Sequence, residues 1–582
     1  MNYLELFKKN LVSIPNKVAV RSYNQEITYS DLDKHSDGLC FKMQKLCKAK
    51  KPVVAILGDG SVNHFKAIMA CIKLGYCFIN IDINWPKEYI KRLYEELNIN
   101  LLLYQSKYNN KIYENVKSIC LDNINYIGKY EIDCSKSKLL YIIPTSGTTG
   151  IYKLVMKKEN ALIRSFYQMK KVVPIMFDGV AQQNASLSFA FGLDQTLIML
   201  VAGKTICVNK KYKYVDIKYI YKDIDSNKAD TVLWPAAILK LLSKQPNLCE
   251  GMPECIKSIV VGGEPLVISA DLIFELRNRD ITLYNNYGCT EIGTLFFSAV
   301  DINLLNIEKY NRIPVGSNVL PGFEMSILDT DMKKVNKGEL YVSDDKFFNH
   351  YVNTMDNKEK FINFIETDNK VLFRTEDIIE YIGGNYYIVG RTNNCINIRG
   401  YRVSIEHVER VISKVISGED CCIIVITNQY LENNMVCFYS NINFSEIELR
   451  KVLKGILPDY MVPSKLIKIN KIVYSPNGKI DRNKMKKLYE SMSITSDSCQ
   501  EDLRLRIRNK IAQMTGKKMC AEDDKISFCE LGLDSLGFTD FICRVEYDED
   551  IAIKEEMILS GKINTIDSLV EYIKREKHEE IF

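Results

Sequence analysis

Several things that would assign a chemistry quickly are scarce or missing. Histidine occurs only as His35, His64, His350, His407 and His578, with no HExxH spacing and no GxSxG serine to serve; zinc-peptidase and serine-hydrolase chemistry therefore have nothing to work with. Cysteine is more plentiful, at 18 residues, but no CxxC pair occurs, and the adjacent Cys421 and Cys422 lack matching histidines. Reduced, mostly buried thiols are the expectation, rather than disulfides or a zinc site. No stretch reaches roughly 18 uninterrupted apolar residues, and the N-terminus MNYLELFKKNLVSIPNKVAV has no signal-peptide core, so the sequence reads as cytoplasmic with no membrane partner. Charge of one sign is lacking too: 78 basic residues face 73 acidic ones, a net of +5, which gives no field for nucleic acid. The richest basic stretch, Lys210 to Lys222, is interleaved with tyrosines and reads as a solvated face with buried ring edges. Internal repeats at solenoid spacing and low-complexity tracts are absent as well.

What is present is ordinary globular material. With 582 residues, 46% hydrophobic and 26% charged, the chain is too long for one core and too apolar for disorder. β-rich runs such as KPVVAILGDG and KSIVVGGEPL alternate with helical stretches such as NHFKAIMACIKLG, which predicts an α/β region with largely parallel strands over residues 1–391. Residues 392–488 mix strand-like CCIIVIT and MVCFYSN with helical SIEHVERVISKV and SEIELRKVLKGIL, the pattern of a small α+β domain. A polar stretch without period, 489–500, reads as a linker, and 501–577 as a small all-α module with helices starting near Glu501, Ser535 and Thr565.

The segment TSGTTGIYK holds Thr145, Ser146, Gly147, Thr148, Thr149, Gly150 and Lys153, a loop whose amides and hydroxyls suit phosphate, although alone it is an ordinary Ser/Gly turn. It is followed in order by NNYGCTE (285–291), LFRTED (372–377), GRTNNCINIRGYR (390–402), LPDYMVP (457–463) and NGKIDR (477–482), and preceded by ITYSDL (27–32) and IKLGYCFINID (72–82). In that order these segments resemble the core motifs of the adenylate-forming superfamily, which includes the adenylation domains of nonribosomal peptide synthetases, acyl-CoA synthetases and luciferases. The likeness covers about the first 485 residues. Further on, ELGLDSLGF (530–538) resembles the phosphopantetheine attachment motif of peptidyl and acyl carrier proteins.

The resemblance implies a large α/β N-terminal domain, a small mobile α+β C-terminal part and a four-helix carrier domain. It also implies roles. The Thr145 to Lys153 loop would hold the departing phosphates of ATP; Asn286, Tyr287 and Gly288 would line the adenine and acyl pockets. Thr290 would lie near the α-phosphate, and Glu291 would place Mg²⁺, a hard ion suited to one carboxylate plus phosphate oxygens. Asp377 would accept from the ribose hydroxyls and Arg391 would contact the nucleotide. Lys479 is the implied catalytic cation between α-phosphate and acyl carboxylate, Asn393 the hinge, where the family usually has Asp or Lys, and Ser535 the serine that carries 4′-phosphopantetheine at a helix start. The implied partners are a small carboxylic acid, a phosphopantetheinyl transferase, and a downstream acyl-accepting or tailoring enzyme. An acyl-CoA synthetase with an accessory helical tail and an inactive binding scaffold are the alternatives; a CoA synthetase has no need of a modified serine, and a scaffold no need of Lys479 and Asp377 together.

Departures from the pattern are informative. Tyr152 and Leu154 flank Lys153 unusually, and Glu376 stands where glycine commonly precedes Asp377. In SLSFAFGLDQT, Ala190 occupies the position where amino-acid-activating relatives place the aspartate that holds the α-ammonium; burying an ammonium there unpaired is costly, which disfavours an α-amino acid. Asp194, one helical turn on, either reaches an amine or hydroxyl farther along the substrate or simply caps, pairs or faces solvent. Motif alignment adds Phe191, Val232, Val260, Gly262, Thr294 and Leu295 to the acyl pocket, a mostly apolar wall suited to an aryl, alkyl or β-amino acid.

Overall fold

The structure, a computed structural model, describes the chain except residues 23–24, 109–115, 123, 125–127, 131–139, 146–152, 173–178, 209–216, 245–248, 250, 301–309, 344–349, 353–360, 364–370, 393–394, 399–400, 417–420, 428–431, 441–443, 470–471, 474–479, 481, 495–498, 516–518, 534, 550, 552, 554–556, 559–560 and 580–582. It forms two compact units, Met1–Ile472 and Val473–Phe582.

The first unit is built on two large sheets, of eight and seven strands. In the seven-stranded sheet, strands Val53–Gly58 and Cys77–Asp82 pair in parallel, and nearly every residue in them is buried. Their unbroken apolar runs follow from being covered on both faces. The connecting helix Val62–Leu74 stops at Gly75, whose φ of 64° is a left-handed cap that glycine adopts without strain. The eight-stranded sheet carries the parallel neighbours Thr231–Pro235, Ser258–Gly262 and Thr282–Cys289. Antiparallel strands extend both sheets: Gly293–Ala299 edges the latter, and Lys153–Lys158, with His350–Tyr351 paired outside it, ends the former.

A third, five-stranded sheet within residues 324–391 is antiparallel throughout, where sequence alone predicted mainly parallel strands. Its strands Val371–Ile382 and Asn385–Arg391 form a hairpin closed by Gly383 and Gly384, both at positive φ, the two-residue turn that matches strand twist. The α+β pattern after residue 391 appears as a three-stranded sheet of Cys421–Thr427, Asn433–Tyr439 and Lys465–Lys468. Helices Ile405–Val415 and Glu446–Ile456 share its apolar core through Val408, Ile412, Leu449 and Leu453.

The second unit is helical, with helices Arg482–Ile494, Cys499–Thr515, Ser535–Glu549 and Ile566–Glu579. Leu503, Ile507 and Ile511 from one helix, Phe541 and Val545 from the next, and Leu569 and Ile573 from the last form its core. The buried carboxylate of Asp524 ties the module through Arg504 at 3.0 Å and Arg508 at 2.6 Å. The stretch expected as a linker is helical up to Ile494 and again from Cys499. The described cysteines are free thiols, most of them buried. Among the described residues no helix is long and apolar enough to cross a membrane.

Candidate active site

A cavity of about 480 Å³ opens in the first unit at the carboxyl ends of strands Ser258–Gly262 and Thr282–Cys289, where open α/β sheets place ligands. Asn286, Tyr287, Gly288, Thr290, Asp377 and Arg391 border it on one side, and Ala190, Phe191, Asp194 and Thr294 on another.

Asp377 reaches the cavity through an irregularity in its strand. Arg374 pairs with Tyr341 and Ile378 with Glu339, so the three residues Thr375 to Asp377 lie opposite Leu340 alone. Such a bulge re-aims a side chain. It requires a left-handed residue, and Glu376 takes that role at φ 64°, which explains why glycine suits this position. Thr375 fastens the bulge: its hydroxyl donates to the Leu340 carbonyl at 2.8 Å and accepts from the Asp377 amide at 3.1 Å. The Asp377 carboxylate then accepts from the Tyr287 hydroxyl at 2.8 Å and faces the Arg391 guanidinium at 3.3 Å. Burial, and next the Asp377 charge, push the Tyr287 phenol well above its usual range, so it remains the donor. Arg391 also donates to the Thr375 carbonyl at 3.1 Å, and thus braces the carboxylate it faces.

Thr145 and Lys153 are register partners at the ends of two antiparallel strands, with Ile143 and Pro144 on the cavity wall. The phosphate-binding candidates Ser146, Gly147, Thr148, Thr149 and Gly150 lie outside the described residues, as do Lys479 and Asn393. Thr290 borders the cavity, whereas Glu291, 1% exposed, sits in the same turn just behind its wall. A single carboxylate together with phosphate oxygens is a donor set that would fit Mg²⁺, although the Glu291 carboxylate itself does not border the cavity here. Ser535 is the first residue of the helix Ser535–Glu549. Near it, Leu533 is buried and Phe538 packs on Phe528 at 5.2 Å between centroids.

The segment from Ala190 to Val201 is helical, and Ala190, Phe191 and Asp194 share the face toward the cavity. Asp194 is paired. Its carboxylate faces the Lys157 ammonium at 3.0 Å and accepts from the Tyr141 hydroxyl at 2.5 Å. Lys157 in turn donates to the Thr290 carbonyl at 3.1 Å, which couples the acyl side to the motif turn. Val232, Val260, Gly262 and Leu295, expected on the acyl wall, do not border the cavity. Val232 packs in a separate core with Trp234 and Ile259, and Val260 and Leu295 lie in the core behind the wall. Gly262 acts by lacking a side chain: a Cβ there would stand 3.1 Å from the Phe191 ring and 2.5 Å from the Asn286 carbonyl. Sequence reasoning missed Lys157, Tyr141 and Gln195. The first two sit in strands among other polar and aromatic residues, with no motif to mark them.

On the far rim, Tyr460 borders the cavity and stacks on Tyr401 at 4.1 Å, and Tyr401 meets Phe189 edge-on at 4.3 Å. The Asn397 amide donates to the Gly263 carbonyl at 3.1 Å. These contacts join residues after 391 to the strands that carry the site.

Residues 7–352 match the AMP-binding enzyme family, and residues 506–573 the family described as a phosphopantetheine attachment site. Gramicidin S synthase 2 of Brevibacillus brevis is 25% identical over 588 aligned positions, covering 99% of this chain; the chain spans 13% of that synthase's length. Among solved structures, holo-PA1221, an NRPS protein containing adenylation and PCP domains bound to a vinylsulfonamide inhibitor, aligns over 99% of this chain and 97% of its own, with TM-score 0.72 and 17% identity. An o-succinylbenzoate CoA synthetase from Bacillus subtilis aligns over 83% of this chain and 98% of its own, with TM-score 0.70 and 18% identity. The two structural likenesses establish a shared fold.

Proposed function

The chain belongs to the AMP-binding enzyme family, and from that premise we propose that it activates a carboxylic acid with ATP as an acyl-adenylate and transfers it as a thioester to Ser535. The acceptor is the phosphopantetheine arm of the same chain. ATP and phosphopantetheine are its cofactors. The observation that carries the reading is the Asp377 carboxylate, held by Tyr287 and Arg391 on the wall of the one cavity that also meets the Thr290 turn, on a chain whose second unit matches the phosphopantetheine attachment family.

In this reading Asp377 accepts from the ribose hydroxyls while Asn286, Tyr287 and Gly288 flank the adenine. Thr290 and the loop from Thr145 to Lys153 hold the phosphates, and Glu291 would hold Mg²⁺, which supplies charge neutralisation there. Lys479 places a cation where negative charge concentrates as the acyl carboxylate attacks the α-phosphorus and pyrophosphate leaves. Rotation about Asn393 then exchanges the adenylating arrangement for the thioester-forming one. Bound to Ser535, phosphopantetheine would supply the thiol that takes the acyl group, with AMP as the leaving group. Residues 1–391, 392–488 and 501–577 are the two adenylating parts and the carrier. Ala190, standing where a carboxylate would be needed to hold an α-ammonium, disfavours a standard α-amino acid as the substrate.

A phosphopantetheine family match over residues 506–573 favours self-loading over transfer to free CoA. The test is the intact mass of phosphopantetheinylated protein given ATP, Mg²⁺ and pools of α-amino, β-amino, aryl and fatty acids. A gain in the wild type that Ser535→Ala loses supports the proposal. Release of the acyl group on free CoA, with none retained on the protein, would overturn it.

A further inference from the structure

Gln195 occupies the cavity-facing side of the helix Ala190–Val201, next to Asp194. It is 1% exposed, and neither its amide nitrogen nor its amide oxygen meets a hydrogen-bonding partner among the described residues. Buried amides are nearly always paired, because an unmet donor and acceptor lose their water without recompense. Other polar side chains nearby do find partners. Gln183 donates to the Gly192 carbonyl at 2.8 Å, and Asn285 to the Pro314 carbonyl at 2.8 Å. Gln195 alone among these borders the cavity with both functions unspent.

The charge around it restricts what can fill that need. Lys157 already neutralises Asp194, with Tyr141 on the other side of the carboxylate. Glu264, which also borders the cavity, is likewise matched by Lys240 at 2.5 Å, so an incoming ammonium or carboxylate would lose its water beside carboxylates and cations that are already paired. An uncharged group avoids that penalty.

We propose that Gln195 is a specificity-determining residue, and that the activated acid carries, away from its carboxylate, a neutral group that both donates and accepts a hydrogen bond, a hydroxyl or a carboxamide. This deepens the acid-activation reading and rests on it. A site built to pair with a substrate polar group rejects the analogue that lacks it far more strongly than an apolar pocket rejects an extra methylene.

The experiment compares wild type and Gln195→Leu in acid-dependent pyrophosphate exchange with matched pairs: 4-hydroxyphenylacetate against 4-methylphenylacetate, 6-hydroxyhexanoate against heptanoate, and glutaramate against 5-methylhexanoate. Wild type is expected to prefer the polar member of its best pair by roughly 100-fold or more in kcat/KM, and Gln195→Leu to abolish or invert that preference. Equal use of both members by wild type, or an unchanged preference in the variant, overturns the proposal while leaving acid activation standing. A thermal scan of the ligand-free proteins decides the matter separately. Removing an unpaired buried amide should raise the midpoint, and a lower midpoint in Gln195→Leu would show that the amide is already satisfied within the fold. Exchange with no acid at all would count against the activation reading itself, with the thermal result still ruling on Gln195.

Discussion

Lys157 and Asp194 face each other at 3.0 Å beneath the cavity, both nearly buried, and Lys157 bonds onward to the Thr290 carbonyl. The pair therefore does two things: it neutralises the carboxylate that sequence alone offered as a substrate anchor, and it props the turn that bears Thr290 and Glu291. Lys157→Met should destabilise the first unit by about 3–5 kcal/mol, since it leaves Asp194 as a lone buried charge. Adding Asp194→Leu should recover part of that loss. Chemical denaturation of the two variants against wild type measures both. A single variant as stable as wild type would mean the pair contributes nothing.

Tyr287 and Asp377 test the nucleotide side. Without its hydroxyl, Tyr287→Phe leaves Asp377 to Arg391 alone, and one lost bond to a charged group is worth about 1.5 kcal/mol. The KM for ATP should rise roughly tenfold on that scale, with a smaller change in kcat. Pyrophosphate exchange at varied ATP reads the split; an unchanged KM would remove Tyr287 from the binding of ATP.

Glu376 lies at φ 64° in the bulge that aims Asp377. A non-glycine residue there carries a penalty of about 1 kcal/mol, so Glu376→Gly should stabilise the protein by about that amount with its activity retained. The denaturation midpoint decides the sign.

How much of this was legible beforehand depended on what kind of signal each feature left. Strands such as Val53–Gly58 announced themselves as continuous apolar runs, and the Ala190–Val201 helix was where the placing of Asp194 required it. The antiparallel sheet after residue 324 was not legible as such, because strand direction is set by the turns, and Gly383–Gly384 is a small mark in a long region. On the site, Asp377 and Arg391 stood in motifs and do come together. Val232 shows the opposite case: alignment placed it on a pocket wall, but alternation along Thr231–Pro235 turns it to the other face of the sheet. Lys157 belongs to no motif and only folding brings it to the cavity, while Gln195 stands in the SLSFAFGLDQT segment with nothing in the sequence to mark it beside Asp194.

Asp59 gives a pH dependence with a definite sign. Burial would raise its carboxyl, but hydrogen bonds from Lys107 at 2.5 Å, Ser61 and Tyr108 outweigh it and hold it at about 2. A carboxyl depressed from its unfolded value of about 3.9 stabilises the fold above that value, and the contribution fades as pH falls toward the folded one. Lys107 is half exposed, so solvent screening limits the effect to about 1–2 kcal/mol. Asp59→Asn should therefore lower stability near neutral pH, and the gap to wild type should close between about pH 4 and pH 2. A gap independent of pH would show that packing, and not charge, is what Asp59 provides.

The last prediction separates activation from loading. Lys479→Ala should abolish acid-dependent pyrophosphate exchange, while Ser535→Ala should retain exchange and lose covalent loading. Mixed together, the two variants supply one competent adenylating site and one competent carrier on different chains. A carrier tethered to its own ligase works at an effective concentration of about millimolar, so a mixture at about 1 µM of each should load roughly a thousandfold more slowly than wild type. Intact mass of the Lys479→Ala chain over time measures this. Loading of the mixture at the wild-type rate would show that the acyl group passes between chains as readily as within one, and that joining the two units in one chain serves something other than self-loading.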